Sequence, residues 1–176
     1  MDLETLQTGL LELIKHRRMA TDVDGPYLQL VDGSDHLALV QEIAEWWRAL
    51  VLEESAPLTA ALLKQRGLFD EAVFAAARSP DVNPFRGRQT DAFLLGLRRH
   101  RDPLVAAVAS FERALLAVRL HGSTDRFEVI WPRSPYEVLE SLLSGTQLDE
   151  RLDRPYRMEV ADDIPGGFRV EPGPAR

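Results

Sequence analysis

DPLVAAVASFERALLAVRLHG, residues 102–122, is the stretch whose reading decides the fold. Asp102 can accept hydrogen bonds from the free amides of a first helical turn, and Pro103 at the next position has no donor to leave unpaired. Gly122 ends the pattern. Leu104, Val108, Phe111, Leu115 and Val118 step by three and four and share one face, which Val105, Leu116 and Leu120 widen. A helix this apolar must be nearly surrounded, so the spacing predicts the central helix of one domain.

Working outward, residues 90–100 read as a preceding helix with Phe93, Leu94 and Leu97 inward, and the short link to Asp102 makes the two an antiparallel hairpin. Upstream, helices are expected over about 2–17, 36–53, 57–66 and 68–78, with Asp35 capping the second and Ser55-Ala56-Pro57 opening the third. Tyr27, Leu28, Leu30 and Val31 fit a short strand or a packed loop. Residues 79–89, with two prolines and a glycine, are expected to be irregular.

Downstream of Gly122 the period changes to two. Phe127, Val129 and Trp131 alternate with Glu128 and Ile130. Tyr156, Met158 and Val160 alternate with Arg157 and Glu159, and Phe168 and Val170 with Arg169 and Glu171. A helix over about 135–144 separates the first two strands, with a capping box from Ser134 and Glu137 at its start and Gly145 at its end. The expected fold is α+β, mostly α. It has a helical domain of five or six helices over 1–121 and a small antiparallel sheet with one intervening helix over 122–176, packed on it or beside it.

The chain has 176 residues, no cysteine and a formal net charge of −7. No cysteine means no disulfide, no zinc-thiolate site and no thiol nucleophile. No apolar run approaches the roughly 20 residues a membrane helix needs, and the acidic, amphipathic start is wrong for a secretory signal, so a cytoplasmic protein is expected. Charge is uneven. Residues 64–119 hold 10 basic and 6 acidic residues, and the remainder holds 11 against 22. A net acidic chain is a poor candidate for nucleic acid, although the positive middle suits a local acidic partner.

The four histidines, at 16, 36, 100 and 121, include no pair spaced to share a helix face around a metal. Asp22 and Asp24 resemble the opening of a calcium loop, but the twelfth position is Gly33 where glutamate is required. No serine sits in a GxSxG elbow, and no cofactor is expected. Glu112 lies beside the apolar stripe of the central helix, where a half-buried salt bridge to Arg98 or Arg113 would lock the hairpin. Arg86, Arg88, Arg98, Arg99 and Arg101 flank the fifth helix as a basic cluster. Of the adjacent Trp46 and Trp47, one is expected in the core and one at its edge, about 100° apart.

Three segments carry a resemblance: FRGRQTDAFLLGLRRHRDPLVAAVASFERALLAVRL, then SPYEVLESLLSG, then PYRMEVADDIPGGFRVE, together about residues 85–171. The chain resembles a family of small proteins that carry a DNA-binding label and partner multinuclear iron oxidative enzymes in ribosomal peptide natural-product biosynthesis. The resemblance implies a helical part that docks on the iron enzyme as a heterodimer, and a strand-bearing part that holds the leader segment of a substrate peptide. The iron ligands then belong to the partner. Strand addition at an open sheet edge would supply the affinity. The expected role is therefore non-catalytic, with a DNA-binding regulator using the cluster at 86–101 as the alternative reading and a small enzyme with an assembled polar site as a third. Candidate contacts for peptide or partner are Phe85, Arg86, Arg88, Arg98, Arg99, Arg101, Trp47, Tyr156, Arg157 and Arg169.

Overall fold

The computed structural model describes residues 3–16, 25–77, 86–149 and 154–173. Its elements in order are α1 (Leu3–His16), α2 (Pro26–Asp32), α3 (Asp35–Ser55), α4 (Pro57–Gln65), α5 (Phe69–Ala77), α6 (Arg86–Leu97), α7 (Pro103–Arg119), β1 (Phe127–Trp131), α8 (Pro135–Ser144), β2 (Tyr156–Val160) and β3 (Phe168–Pro172). The fold is α+β and mostly helical, with a three-stranded antiparallel sheet in the order β1-β2-β3.

Helix α7 occupies the centre. Asp102 caps it, accepting from the Leu104 amide at 2.8 Å. The other Asp102 oxygen lies 3.4 Å from the Arg66 guanidinium, tying the end of α4 to the start of α7. Leu104, Val105, Val108, Phe111 and Val118 are buried against Leu62, Leu63, Phe93 and Leu94 on the helical side and against Val129, Trp131, Met158 and Val160 on the sheet side. Phe111 joins the two, with its ring edge-to-face with Trp131 at 5.8 Å and with Phe168 at 5.4 Å. One apolar core therefore runs across the 121/122 boundary. A second, smaller core of Leu13, Leu28 and Leu37 holds α1, α2 and the start of α3 together.

Alternation places the strands where the sequence puts them. Val129, Trp131, Met158 and Val160 face the helices, while Glu128, Ile130, Arg157 and Arg169 face out. The β2–β3 turn needs glycine: Gly166 and Gly167 have φ of 82° and 87°, open to glycine at little cost. Gly145 (φ 70°) closes α8, its amide bonding the Leu142 carbonyl and the Thr146 amide the Ser141 carbonyl.

Four expectations need correction. Residues 26–32 form a helix instead of a strand or loop. Pro26 starts it, and Leu28 and Val31, three apart, turn inward while Tyr27 and Leu30 stay exposed, so the period is helical. Seven helices thus precede β1 among the described residues. Ser34, rather than Asp35, caps α3, accepting from the His36 amide at 3.2 Å. Ser55 does not open α4. It closes α3, bonding the Val51 carbonyl and the Thr90 hydroxyl. Ser134 makes no side-chain cap, and Glu137 pairs with Arg133, 3.5 Å away, so no capping box forms.

The N-cap of α4 falls on Ala56, which has no side-chain acceptor. Glu112 supplies it from α7: one carboxylate oxygen accepts from the Leu58 amide and the other from the Thr59 amide, both at 2.8 Å. The salt bridge expected for Glu112 is made instead by its neighbour. Arg113 reaches Asp91 at 2.7 Å and locks the α6–α7 hairpin.

Candidate functional site

The sheet has two unpaired edges among the described residues, and the register distinguishes them. The Gly173 amide bonds the Pro155 carbonyl and the Ala161 amide the Gly167 carbonyl, so odd-numbered residues of β2 point their main-chain groups at β3. Even-numbered ones therefore point at β1, where they meet Phe127, Val129 and Trp131. The amides and carbonyls of Glu128 and Ile130 are left facing outward from the free edge of β1. On β3 the outward groups belong to Phe168, Val170 and Pro172, and Pro172 has no amide to offer.

The edge of β1 does not open onto bare solvent. A groove of about 610 Å3 runs between it and α7. Its floor is a stripe of small side chains on α7, Pro103, Ala106, Ala107, Ser110 and Ala114, and its far wall is β1 from Arg126 to Ile130. Arg98, His100 and Arg113 line it as well. Small residues at three- and four-residue spacing keep α7 slim on this side, which is why an open groove remains beside the sheet. Such an edge, with main-chain donors and acceptors on one wall and an apolar floor opposite, can take an extended segment by strand addition.

The outer face of the sheet is a ladder of ion pairs. Arg157 meets Glu128 at 2.6 Å, and Arg169 meets Glu159 at 2.6 Å and Glu171 at 3.4 Å. Arg126 reaches Glu159 at 2.7 Å and also pairs with Asp163. The Glu159 carboxyl is held below the ordinary carboxylate range by hydrogen bonds from Arg126 and then Arg169. The same pairing pushes the Arg126 guanidinium further into its charged range, the Glu159 hydrogen bond being the larger cause. These cross-strand pairs fix register, and each is worth little in stability.

The residues singled out from the sequence do not converge on one place. Phe85 lies outside the described residues. Arg86 and Arg88 open α6, whereas Arg98, Arg99 and Arg101 follow its end. Residues 89–97 of the helix separate Arg88 from Arg98, about 15 Å at 1.5 Å per residue, so the basic cluster is split. Within the link, Arg98 joins the β1 groove, Arg99 is exposed, and Arg101 lines a different cleft between α5 and α6. Arg157 and Arg169 are committed to the ion-pair ladder. Tyr156, half-buried at the end of β2, sits under the Arg154 guanidinium at 5.4 Å. Trp47 is exposed on α3, and so is Trp46, against the expectation that one would be core.

The alanine stripe of α7 becomes a groove floor only in the folded chain. Its signal was the spacing of 103, 106, 110 and 114, which reads equally well as filler in a packed helix. Among the described residues no group of three or more histidine, aspartate or glutamate side chains is placed to hold a metal, and no helix is long and apolar enough to cross a membrane. No protein-family model, curated protein or solved structure matches this chain.

Proposed function

We propose that this is a non-catalytic binding protein that takes an extended peptide onto the free edge of β1 and presents it to a multinuclear iron oxidative enzyme, its partner in a heterodimer. The observation that carries the peptide half is the alignment of the outward amides and carbonyls of Glu128 and Ile130 along a groove floored by α7. An incoming strand would pair with those groups and set alternate side chains on Ala106, Ser110 and Ala114. Arg98 at the groove, beside an Arg113 already paired with Asp91, favours a peptide with a carboxylate. The partner half rests on the resemblance over residues 85–171.

Two substitutions test the groove without touching the core. Ile130→Pro removes an outward amide that makes no ladder bond, and Ala106→Trp fills the channel. Random 12-residue peptides displayed in a library and panned on the full chain should yield binders. Each variant should weaken them by about tenfold or more, the loss of one or two main-chain bonds, with little change in thermal midpoint. A panning that enriches nothing, or binders indifferent to both substitutions, overturns the peptide reading. Co-expression with an iron enzyme encoded beside this chain tests the partner. An iron-bearing complex of defined stoichiometry is expected, and a chain that elutes alone counts against it.

The split of the arginines between the two ends of α6 leaves the DNA-binding alternative without a continuous basic stripe among the described residues.

A further inference from the structure

Helix α3 carries apolar side chains on two sides, only one of which is buried. A surface helix normally buries its apolar stripe and exposes its charges. Here α3 buries Leu37 and Leu52 together with Gln41 and the half-buried Arg48, and still leaves Leu39, Val40, Ile43, Trp46 and Trp47 54%, 44%, 47%, 59% and 50% exposed. The orientation is held in place. The Gln41 amide donates to the Leu13 carbonyl at 2.7 Å in the interior, which pins α3 to α1 with its Leu37–Leu52 side inward and its Leu39–Trp47 side outward. Burial pulls the Arg48 guanidinium below its ordinary pKa, with the Glu45 charge opposing, so the inward side bears a desolvation cost as well. The outward stripe continues into an apolar groove of about 390 Å3 between α1, α2 and the start of α3, where Leu10, Tyr27, Leu30 and Val40 meet. Five large apolar side chains on one face of one helix are a contiguous patch, which marks an interaction surface.

Charge selects the occupant. The 21 residues of α3 include Asp35, Glu42, Glu45, Glu53 and Glu54 against the single Arg48; Glu53 pairs with Lys64 at 2.5 Å and Glu45 sits near Arg48, and the helix is still acidic through Asp35, Glu42 and Glu54. A second copy of this chain would set this acidic helix against itself, and an anionic membrane would be repelled. We infer that the Leu39–Trp47 face of α3 is the docking site of a different protein that presents a cationic amphipathic helix, its apolar side on the tryptophans and its lysines or arginines on the exposed Glu42 and Glu54. Trp46 and Trp47, edge-to-face at 5.1 Å, supply the aromatic anchors that dominate such interfaces. This docking site does not depend on the peptide groove at β1, and Ile130→Pro leaves it intact.

The three tryptophans allow a direct reading, because Trp131 is fully buried and only Trp46 and Trp47 are open to a quencher. The full chain is titrated with an 18-residue amphipathic peptide of leucine and lysine, and with the same peptide carrying glutamate for lysine, while acrylamide quenching is followed. The lysine peptide should protect the exposed pair and bind at least about tenfold more tightly than the glutamate peptide, with the gap narrowing in high salt. The double substitution Leu39→Ser with Ile43→Ser, which keeps every charge and both tryptophans, should lose that binding while circular dichroism shows the fold retained. Equal binding of the two peptides, no binding, or unchanged binding by the double variant overturns the inference. Protection that grows with protein concentration alone assigns the face to a second copy, and protection by phosphatidylcholine vesicles assigns it to a membrane. Either outcome also overturns it.

Discussion

Replacing Phe111 by alanine is expected to remove about 3–5 kcal/mol of folding stability, the usual cost of deleting a buried aromatic ring. The ring is 2% exposed and stands where the helical core meets the sheet core, in edge-to-face contact with Trp131 and Phe168. Each such ring pair adds about 0.5–1.5 kcal/mol beyond the area it buries. Trp131 cannot relax into the space freely, because its strand is held in register by β2. Phe111→Leu, which keeps most of the volume and none of the ring contacts, should cost distinctly less. Urea unfolding by far-UV and near-UV circular dichroism reads both effects. For the alanine variant the near-UV signal of Trp131 should be lost at lower denaturant than the helical signal, because the sheet loses both of its aromatic contacts with Phe111 of α7. Coincident transitions together with a loss below about 1.5 kcal/mol, the range of tolerated swaps, would show that the sheet is held by other contacts.

The parts of this fold legible in the sequence are those set by local chemistry. Asp102-Pro103 opens α7 because both act on the first turn alone, and the three strands fall at Phe127–Trp131, Tyr156–Val160 and Phe168–Pro172 because one buried face enforces a period of two. What was not legible depends on groups distant in sequence. Periodicity in α3 shows that an apolar face exists and leaves open whether anything covers it, so one of Trp46 and Trp47 reads as core until Gln41 is seen to hold the opposite side inward. The arginines at 86–101 are a cluster in sequence and two groups in space, since a helix stands between them. The candidate groove was hidden for a similar reason. Ala106, Ser110 and Ala114 acquire meaning only when the edge of β1 is laid opposite them. Glu112 is the sharpest case. Its place beside the apolar stripe was readable, but its partners are backbone amides 53 and 54 residues away, which no spacing rule connects.

Glu112→Ala is accordingly expected to be the most damaging change of a charged residue. It strips the acceptors from the Leu58 and Thr59 amides at the start of α4, where Ala56 can offer no replacement, and the site is too deep for bulk water: Glu112 is 6% exposed and Thr59 fully buried. Unsatisfied buried donors cost about 1–3 kcal/mol each, and loss of a helix cap about 1 kcal/mol, so a net loss of about 2–4 kcal/mol is expected. For a chain of this size that is a fall of roughly 5–15 °C in thermal midpoint. The carboxyl also gives the site a pH dependence. Burial pushes its pKa above the ordinary glutamate value; the nearby Thr59 hydroxyl, which forms no hydrogen bond of ordinary geometry, and the Thr59 and Leu58 amides work in the other direction without cancelling it. The folded protein therefore holds this proton more tightly than the unfolded chain does. The contribution of Glu112 is fully present below its unfolded pKa and is lost as pH rises through the raised folded value. Glu159, held low by its arginines, runs the opposite way and is shared by wild type and variant alike. Comparison with Glu112→Gln, which cannot titrate, isolates the effect. The stability of wild type relative to the glutamine variant should fall as pH is raised from about 4 toward neutrality, across the ordinary and raised glutamate values. A difference that stays flat, or one that grows with pH, would mean that the two amides outweigh burial and that Glu112 serves α4 as an ordinary ionised cap.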